Sequence, residues 1–586
     1  ASNSNLSASG YNYDLVSALS QDALNANLKS LLNNLGQKDL PPITAYYKYN
    51  DATHTSGTSL MSPEDVMEIT GGVDVFSIPD GTSSAGSSTY NTLITDLANA
   101  GFAYAFAAKI GLPQEIAPYN MPDILILDQV APQEVTYHSY YQTFQIIELA
   151  YGWNIATVTQ ISQDTYDPNN DPWIFEWKVN LNLSEPTNAA FNSLPILVQQ
   201  NLESMKYDTN SMFSMQRLYL DLNSPRLTKG ASPSVFNFPS TDPIYASVNE
   251  FISNYWTILQ NNGGVIFQTA IKPVSSSNYP PASVIPTAVN FVVSPYSGGT
   301  QGLYTLNYLM MSENRAMPAI KPFNWNWVDD SSVQGIMSVR RGLFVDYLNA
   351  ALSPALAQIT FIPIVDVNAD GSFHLGYKAP STPPAYTSRK TNPILYFSFI
   401  QEDSDKVGIG AIYSASLRIE VGSMVIFNGN TIVVSTTLAV YANIYTALAT
   451  TDGYALATEN ITTFKMDSVG ANNDNAGVLT ISSSVVNKDL VQTDDKDKSY
   501  YAGNINDPSM WAEAMTLGAI NDYLDSLSRF TATMNSLLNN FDSEIANICT
   551  NCLSWTFPGA GTYYFSNPVF SNNNDLTVQI SVQPSN

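Results

Sequence analysis

Three histidines, two cysteines and one acidic loop hold most of the chemistry that local spacing in this sequence suggests. The loop is DVNADGSFHLGY, residues 366–377. It sets Asp366, Asn368, Asp370 and Gly371 at the spacing of a calcium loop, where alternate side chains offer hard oxygen ligands. Its twelfth position, which calls for a bidentate glutamate, holds Tyr377, and the flanks ITFIPIV and SFHLGY read as strands. The expectation is therefore a hairpin turn with Asp-Gly at its tip, and a weak calcium site is the alternative. Cys549 and Cys552 stand at C-x-x-C spacing but close a helical pattern. A redox pair needs a helix N-terminus to lower its thiol pKa, so buried thiols or a short-loop disulfide are the plainer reading. His54, His138 and His374 are dispersed, and a zinc set or a Ser-His-Asp triad would need distant residues to converge. The nucleophile-elbow pattern nearly appears at 81–85, but Ala85 replaces its last glycine. Phosphate-loop, GxGxxG and HExxH patterns are absent. No catalytic residue, metal or cofactor is assigned. Paired carboxylates for glycoside hydrolysis leave no local signature, so a secreted carbohydrate-active enzyme stays as an alternative. The cluster Phe323-Asn324-Trp325-Asn326-Trp327 suits sugar stacking or a lipid interface, but core packing is its expected role.

Composition narrows the classes. The 586 residues carry 24 Lys+Arg against 50 Asp+Glu, a formal charge of −26. Nucleic-acid affinity rests on cations neutralising phosphates, so that class is excluded. Only 13% of residues are charged while 44% are hydrophobic, a globular balance rather than that of an acidic tail. No run of eighteen apolar residues exists to span a bilayer as a helix. The opening ASNSNLSASG lacks the basic and apolar regions of a leader, and a leader removed earlier fits the absent Met.

The elements follow from periodicity. Leu24, Leu28, Leu31 and Leu35 form one apolar stripe, which Leu15 and Leu19 extend, and predict a helix over residues 14–35 stopped near Gly36. Trp173, Phe175, Trp177, Val179, Leu181 and Leu183 alternate as one buried strand face. Residues 135–147 are also strand-like, and 81–91 read as a flexible loop. Further helices are expected over 243–262 and 338–352, a hairpin at Asn428-Gly429, and a solvated loop at 493–498. Leu517, Ile520, Leu524, Leu527, Met534, Leu538, Phe541, Ile545 and Ile548 keep 3–4 spacing, broken once at Thr531. They predict a long helix about 508–552, lying on a curved sheet or else self-associating.

Three stretches carry a likeness. YDLVSALSQDALNANL (13–28), LYTLNYLMM (303–311) and FPGAGTYYF with VFSNNNDL (557–576) resemble, in order, the start, middle and close of the clostridial neurotoxin-cluster accessory proteins. Those belong to the TULIP (tubular lipid-binding) superfamily. Tyr13 stands where that pattern has Trp, and Ala560 where it has Gly. The resemblance implies an α+β chain, elongated, with long amphipathic helices wrapped by highly curved antiparallel sheets in two TULIP-like modules, 1–265 and 266–586. It implies an apolar groove, and no catalytic residue carries over. Groove candidates are Leu24, Leu28, Leu31, Leu35, Leu524, Leu527, Met534, Leu538 and Phe541. The function so implied is non-enzymatic binding of a lipid or hydrophobic ligand, or accessory action beside a protein toxin, in a secreted or extracellular setting. The alternative is a toxin or structural interaction protein acting through its surface. At −26 the chain should bind anionic vesicles weakly without calcium. Flotation with such vesicles checks this, and tight calcium-free recovery would refute it.

Overall fold

The computed structural model describes residues 1–37, 42–54, 57–86, 89–113, 123–127, 134–151, 159–165, 175–184, 213–220, 226–230, 244, 247–248, 250–251, 266–273, 286–408, 413–446, 449–469, 479–486, 491–492, 508–552 and 563–582. The expected helices at 243–262, most of it, and the loop at 493–498 lie outside them, as does Trp173.

The N-terminal apolar run divides between strand and helix. β1 (Leu15–Ser20) precedes α1 (Gln21–Gln37), so a helix beginning at Asp14 is corrected. The cause is tertiary. β1 pairs antiparallel with β14 (Thr305–Ser312) on one side and β15 (Gly335–Val339) on the other. All six of its residues are buried. A strand covered on both faces loses its alternation and looks like any continuous apolar run, and two ladders of backbone bonds outweigh a local helical pattern. The helix starts where Ser20 Oγ accepts the Ala23 N–H at 3.2 Å. Gly36 falls inside the last turn instead of stopping it. Its Cα comes close enough to Gly111, at φ +140, that a β-carbon there would meet it at 2.7 Å.

β1 and its two neighbours are the middle of a six-stranded sheet, in the order β13 (Pro286–Ser294), β14, β1, β15, β26 (Leu576–Val582), β25 (Tyr563–Phe570). A five-stranded sheet runs β3 (Thr58–Met61), β2 (Ile43–Tyr49), β4 (Phe102–Ile110), β7 (Tyr141–Ala150), β8 (Gln160–Thr165). The short helices α2 (Pro63–Ile69) and α3 (Asn91–Asn99) cover a satellite core on it. A third sheet runs β12 (Ile266–Pro273), β10 (Phe213–Leu220), β9 (Phe175–Ser184), β6 (Glu134–Ser139), β5 (Leu125–Leu127), with β11 (Arg226–Gly230) also on β9. In β9 Phe175, Trp177 and Val179 are buried, and Glu176 and Lys178 half-buried, as alternation predicts. The strand-like stretch 135–147 is two strands, β6 and β7, which part at Tyr140 into different sheets. Of the loop expected at 81–91, the first residues are tethered: the Gly81 and Ser84 amides donate to the carbonyls of Ile161 and Thr159.

The C-terminal half adds the hairpin β16 (Ile362–Val367) and β17 (Phe373–Lys378). It also adds α4 (Arg341–Leu352), which begins three residues later than expected because Ser338 and Val339 belong to β15. The largest sheet runs β18 (Thr387–Ser388), β19 (Leu395–Val407), β20 (Tyr413–Asn428), β21 (Thr431–Thr446), β22 (Ala449–Val469), β23 (Leu479–Val486), with β24 (Val491–Gln492) on β22. Asn428 pairs with Thr431, leaving a two-residue turn whose first central residue, Gly429, has φ +58. That tip locks to the central sheet. Phe427 stacks on Phe570 of β25 at 4.0 Å, and the Phe570 amide donates to the Gly429 carbonyl.

α5 (Pro508–Cys552) packs along β17, β21, β22 and β23. Its other side is open: Asp525, Arg529, Thr533, Ser536, Asn540 and Ser543 are exposed. The expected architecture of long amphipathic helices wrapped by highly curved sheets is thereby corrected. Among the described residues strand predominates over helix, spread over several antiparallel sheets. The other four described helices have 7 to 17 residues. α5 is laid on a sheet along one face, because its sequence is polar on the other.

One buried carboxylate sets the position of β1. Asp14 is fully buried. Its Oδ2 accepts the amide and the hydroxyl of Ser312, each at 2.8 Å, and its Oδ1 accepts Arg340 Nε at 2.9 Å. Arg315 reaches the same Oδ1. It is aimed there by a turn that holds Glu313 and Asn314 at φ +54 and +56, conformations that cost side-chain-bearing residues about 1 kcal/mol or more each. Burial lowers the Arg315 pKa to about 10, which still leaves it charged near neutrality. Removing the carboxylate strands two guanidinium groups, so Asp14→Ala should lose about 3–5 kcal/mol in urea unfolding. A loss under about 1 kcal/mol would show that the ion cluster does not hold this strand.

Candidate functional site

The candidate site is the seam between α5 and the largest sheet. Tyr523, Leu527, Phe530, Met534, Leu538, Phe541 and Ile545 are all 5% exposed or less and line one helix face. Spacing alone left a gap at Thr531, and Phe530 fills it, with Thr531 turned outward to donate to the Leu527 carbonyl at 2.8 Å. Opposite them lie Phe361, Phe373 and Leu375 below, and Leu438, Val440, Phe464 and Met466 of the sheet, in one continuous core. Phe373 meets Tyr523 edge-on at 5.4 Å, and Phe361 meets Phe530 at 6.4 Å. Of the candidates on this helix, Leu527, Met534, Leu538 and Phe541 sit in the seam, while Leu524 lies outside the described side chains.

Two polar contacts fix the helix register. Ser526 Oγ donates to the Phe373 carbonyl at 3.0 Å. Asn460 Nδ2 of β22 donates to Asp542 Oδ2 at 2.6 Å, with both side chains buried. Burial pushes the Asp542 carboxyl up to about 6, and the Asn460 hydrogen bond offsets only part of this. A lone acidic residue in an apolar stripe gave no sign of this in the sequence, because its partner lies 82 positions away.

The α1 candidates occupy a different seam of the same core. Leu24 and Leu28 are buried together with Leu32, whereas Leu31 and Leu35 lie outside the described side chains. Here α1 packs on β1, β4 and β5. Its polar residues act as a substitute strand for the edge of β5. Asn25 Oδ1 accepts the amides of Ile124 and Leu125, its Nδ2 donates to the Leu125 carbonyl, and Gln21 Oε1 accepts the Leu127 amide at 2.8 Å.

Asp366, Asn368 and Asp370 fall on a hairpin turn: Asp370 Oδ1 accepts the amide and hydroxyl of Ser372, which hold its pKa down, and Asn368 Nδ2 donates to Ser372 Oγ at 2.9 Å. Asp366 sits one pair back, opposite His374. Among the described residues, no three His, Cys, Asp or Glu side chains gather to hold a metal. Phe323 and Trp327 are buried in a satellite core with Tyr11 and Tyr13, which is packing. Cys549 and Cys552 end α5, and their side chains lie outside the description. Among the described residues no helix is long and apolar enough to cross a membrane.

No family model matches this chain, and no curated protein does. Solved structures similar to it include P47 from Clostridium botulinum A2, at 9% identity and TM-score 0.38 over 98% of both chains. A lipopolysaccharide binding protein is similar at 10% identity and TM-score 0.31, over 98% of this chain and 99% of that one. Likenesses this remote assign no function to the chain.

The seam as it stands is closed by side chains. Overfilling it should strain the helix off its sheet, so Leu538→Phe should cost about 1–3 kcal/mol in urea unfolding, against less than about 0.5 for Ser536→Ala on the open face. A neutral Leu538→Phe would show free space beside α5.

Proposed function

We propose that the protein binds an apolar chain, such as a lipid acyl chain, in the seam under α5, and does so without catalysing a reaction. The observation that carries this reading is the make-up of the seam. From Leu527 to Ile545 the buried row spans ~27 Å of helix and is apolar but for Asp542, with Ser526 beside its start, while the facing sheet adds the buried polar residues Asn460, Thr462 and Thr436. Among the described residues the helix over it is covered on one face, so it can lift without dismantling the sheet beneath. An alkyl chain that takes its place gains ~0.8 kcal/mol per buried CH₂, and binding of this kind calls for no nucleophile, metal or general base. The motifs that resemble the tubular lipid-binding superfamily point the same way.

The purified protein should carry extractable lipid, visible as a discrete mass increment in native mass spectrometry that organic extraction removes. After extraction it should take up a fluorescent acyl chain saturably, and a substitution that fills the seam should lower that uptake. Protein that carries no lipid and shows no saturable uptake would refute the reading.

A further inference from the structure

Asp542 is out of place in the α5 seam. It is 3% exposed and lies one turn from both Leu538 and Ile545, beside Phe541. Its hydrogen-bond donor, Asn460, is a neutral amide that is itself 1% exposed. An ionised carboxylate in such surroundings gives up its hydration without gaining a cation, whereas the protonated acid fits there at little cost. Among the described side chains no charged group of the packed elements offsets this. Arg341 and Asp346 of α4, His374 and Lys378 of β17, Lys465 of β22, and Arg529 and Glu544 of α5 do not bear on the carboxyl; burial acts first and the Asn460 bond second.

We propose that Asp542 makes the seating of α5 depend on pH: with the acid protonated the helix lies closed on its sheet, and with the carboxylate ionised it loosens and opens the seam to an apolar ligand. This rests on the seam being the binding site. The direction follows from linkage. Asp542 titrates near 6 in the folded protein, above its ordinary 3.8, so the native seating binds the proton more tightly than the released helix does. Seating therefore strengthens as pH falls from above 6 towards about 4, and the penalty is complete above the folded value. The seam is tightest in mildly acidic solution and loosest at pH 7–8.

Two measurements on the full chain test this. The first is the rate at which diphenylhexatriene, an uncharged apolar fluorophore, enters the delipidated protein at pH 5 and at pH 8. Wild type should take it up faster at pH 8, by up to about tenfold, because part of the ionisation penalty is already present at pH 5. Asp542→Asn keeps a neutral amide at every pH and should be slow at both. The second is thermal unfolding at the same two pH values, which needs no ligand. The change in melting temperature between them should be displaced in Asp542→Asn relative to wild type, with the variant gaining most at pH 8. Asn460→Ala, which removes the bond that favours the ionised form, should move the midpoint of uptake to higher pH and serves should Asp542→Asn fail to fold. Equal pH responses in wild type and Asp542→Asn, or an unmoved midpoint in Asn460→Ala, would overturn the gate. Failure of the fluorophore to enter at either pH, with the melting-temperature difference intact, would instead overturn the seam as a binding site and leave the pH-dependent seating standing.

Discussion

The placement of β1 depends on a carboxylate that two arginines share. Asp14 gathers Arg340 at the entry to α4, Arg315 at the end of the β14 turn, and the Ser312 amide, all on the flanks of one strand. Its own carbonyl accepts the Arg340 amide, and its amide donates to Met310. Buried ions are costly singly, and such a cluster persists only because each member closes the account of another. Its structural role is registry. A slip of β1 by one residue would exchange the faces of the strand and pull the carboxylate from its donors. Close by, Asp575 does a similar service. It accepts the amides of Leu6 and Arg341 and the Ser4 hydroxyl, which ties the first residues and the start of α4 to the turn before β26.

The two helical seams use the same core differently. Under α1 the polar hooks Asn25 and Gln21 replace a missing strand and saturate the edge of β5, so this seam is pinned by several neutral hydrogen bonds. Under α5 the seam is greasy over most of its length, and its buried pair includes a group that prefers to be uncharged. Neutral bonds hold at any pH near neutrality, whereas an acid in an apolar seam does not hold equally at all of them. The contrast makes α5 the more readily displaced of the two helices.

What the sequence disclosed was whatever is written in a local period. Phe175, Trp177 and Val179 alternate because β9 has one buried face, and the 3–4 run through Leu527, Met534, Leu538 and Ile545 marks α5 because the opposite face meets water. Legibility failed where the period was erased or the decision was made far away. Leu15 and Leu19 continue the stripe of Leu24 and Leu28, yet β1 is buried on both faces and takes its conformation from strands some 290 and 320 positions distant. The break at Tyr140 between β6 and β7 left no glycine or proline to mark it. The long-helix architecture implied by likeness of motifs overstated the helical share, because three short motifs report on their own segments and not on the many strands between. Of the site, the apolar candidates were visible and their polar register contacts were not, since Asn460 and Asp542 become neighbours only in the fold.

The central sheet brings together residue 15 and residue 582. β1 pairs with strands some 290 and 320 positions further on, and such strands must wait for each other, because the entropy of closing so large a loop is met before any of its bonds form. Until β14 and β15 have been made, β1 has neither neighbour to lie against, and both its edges stand open. The chain thus carries a sticky template until those strands are made, a circumstance that favours slow folding.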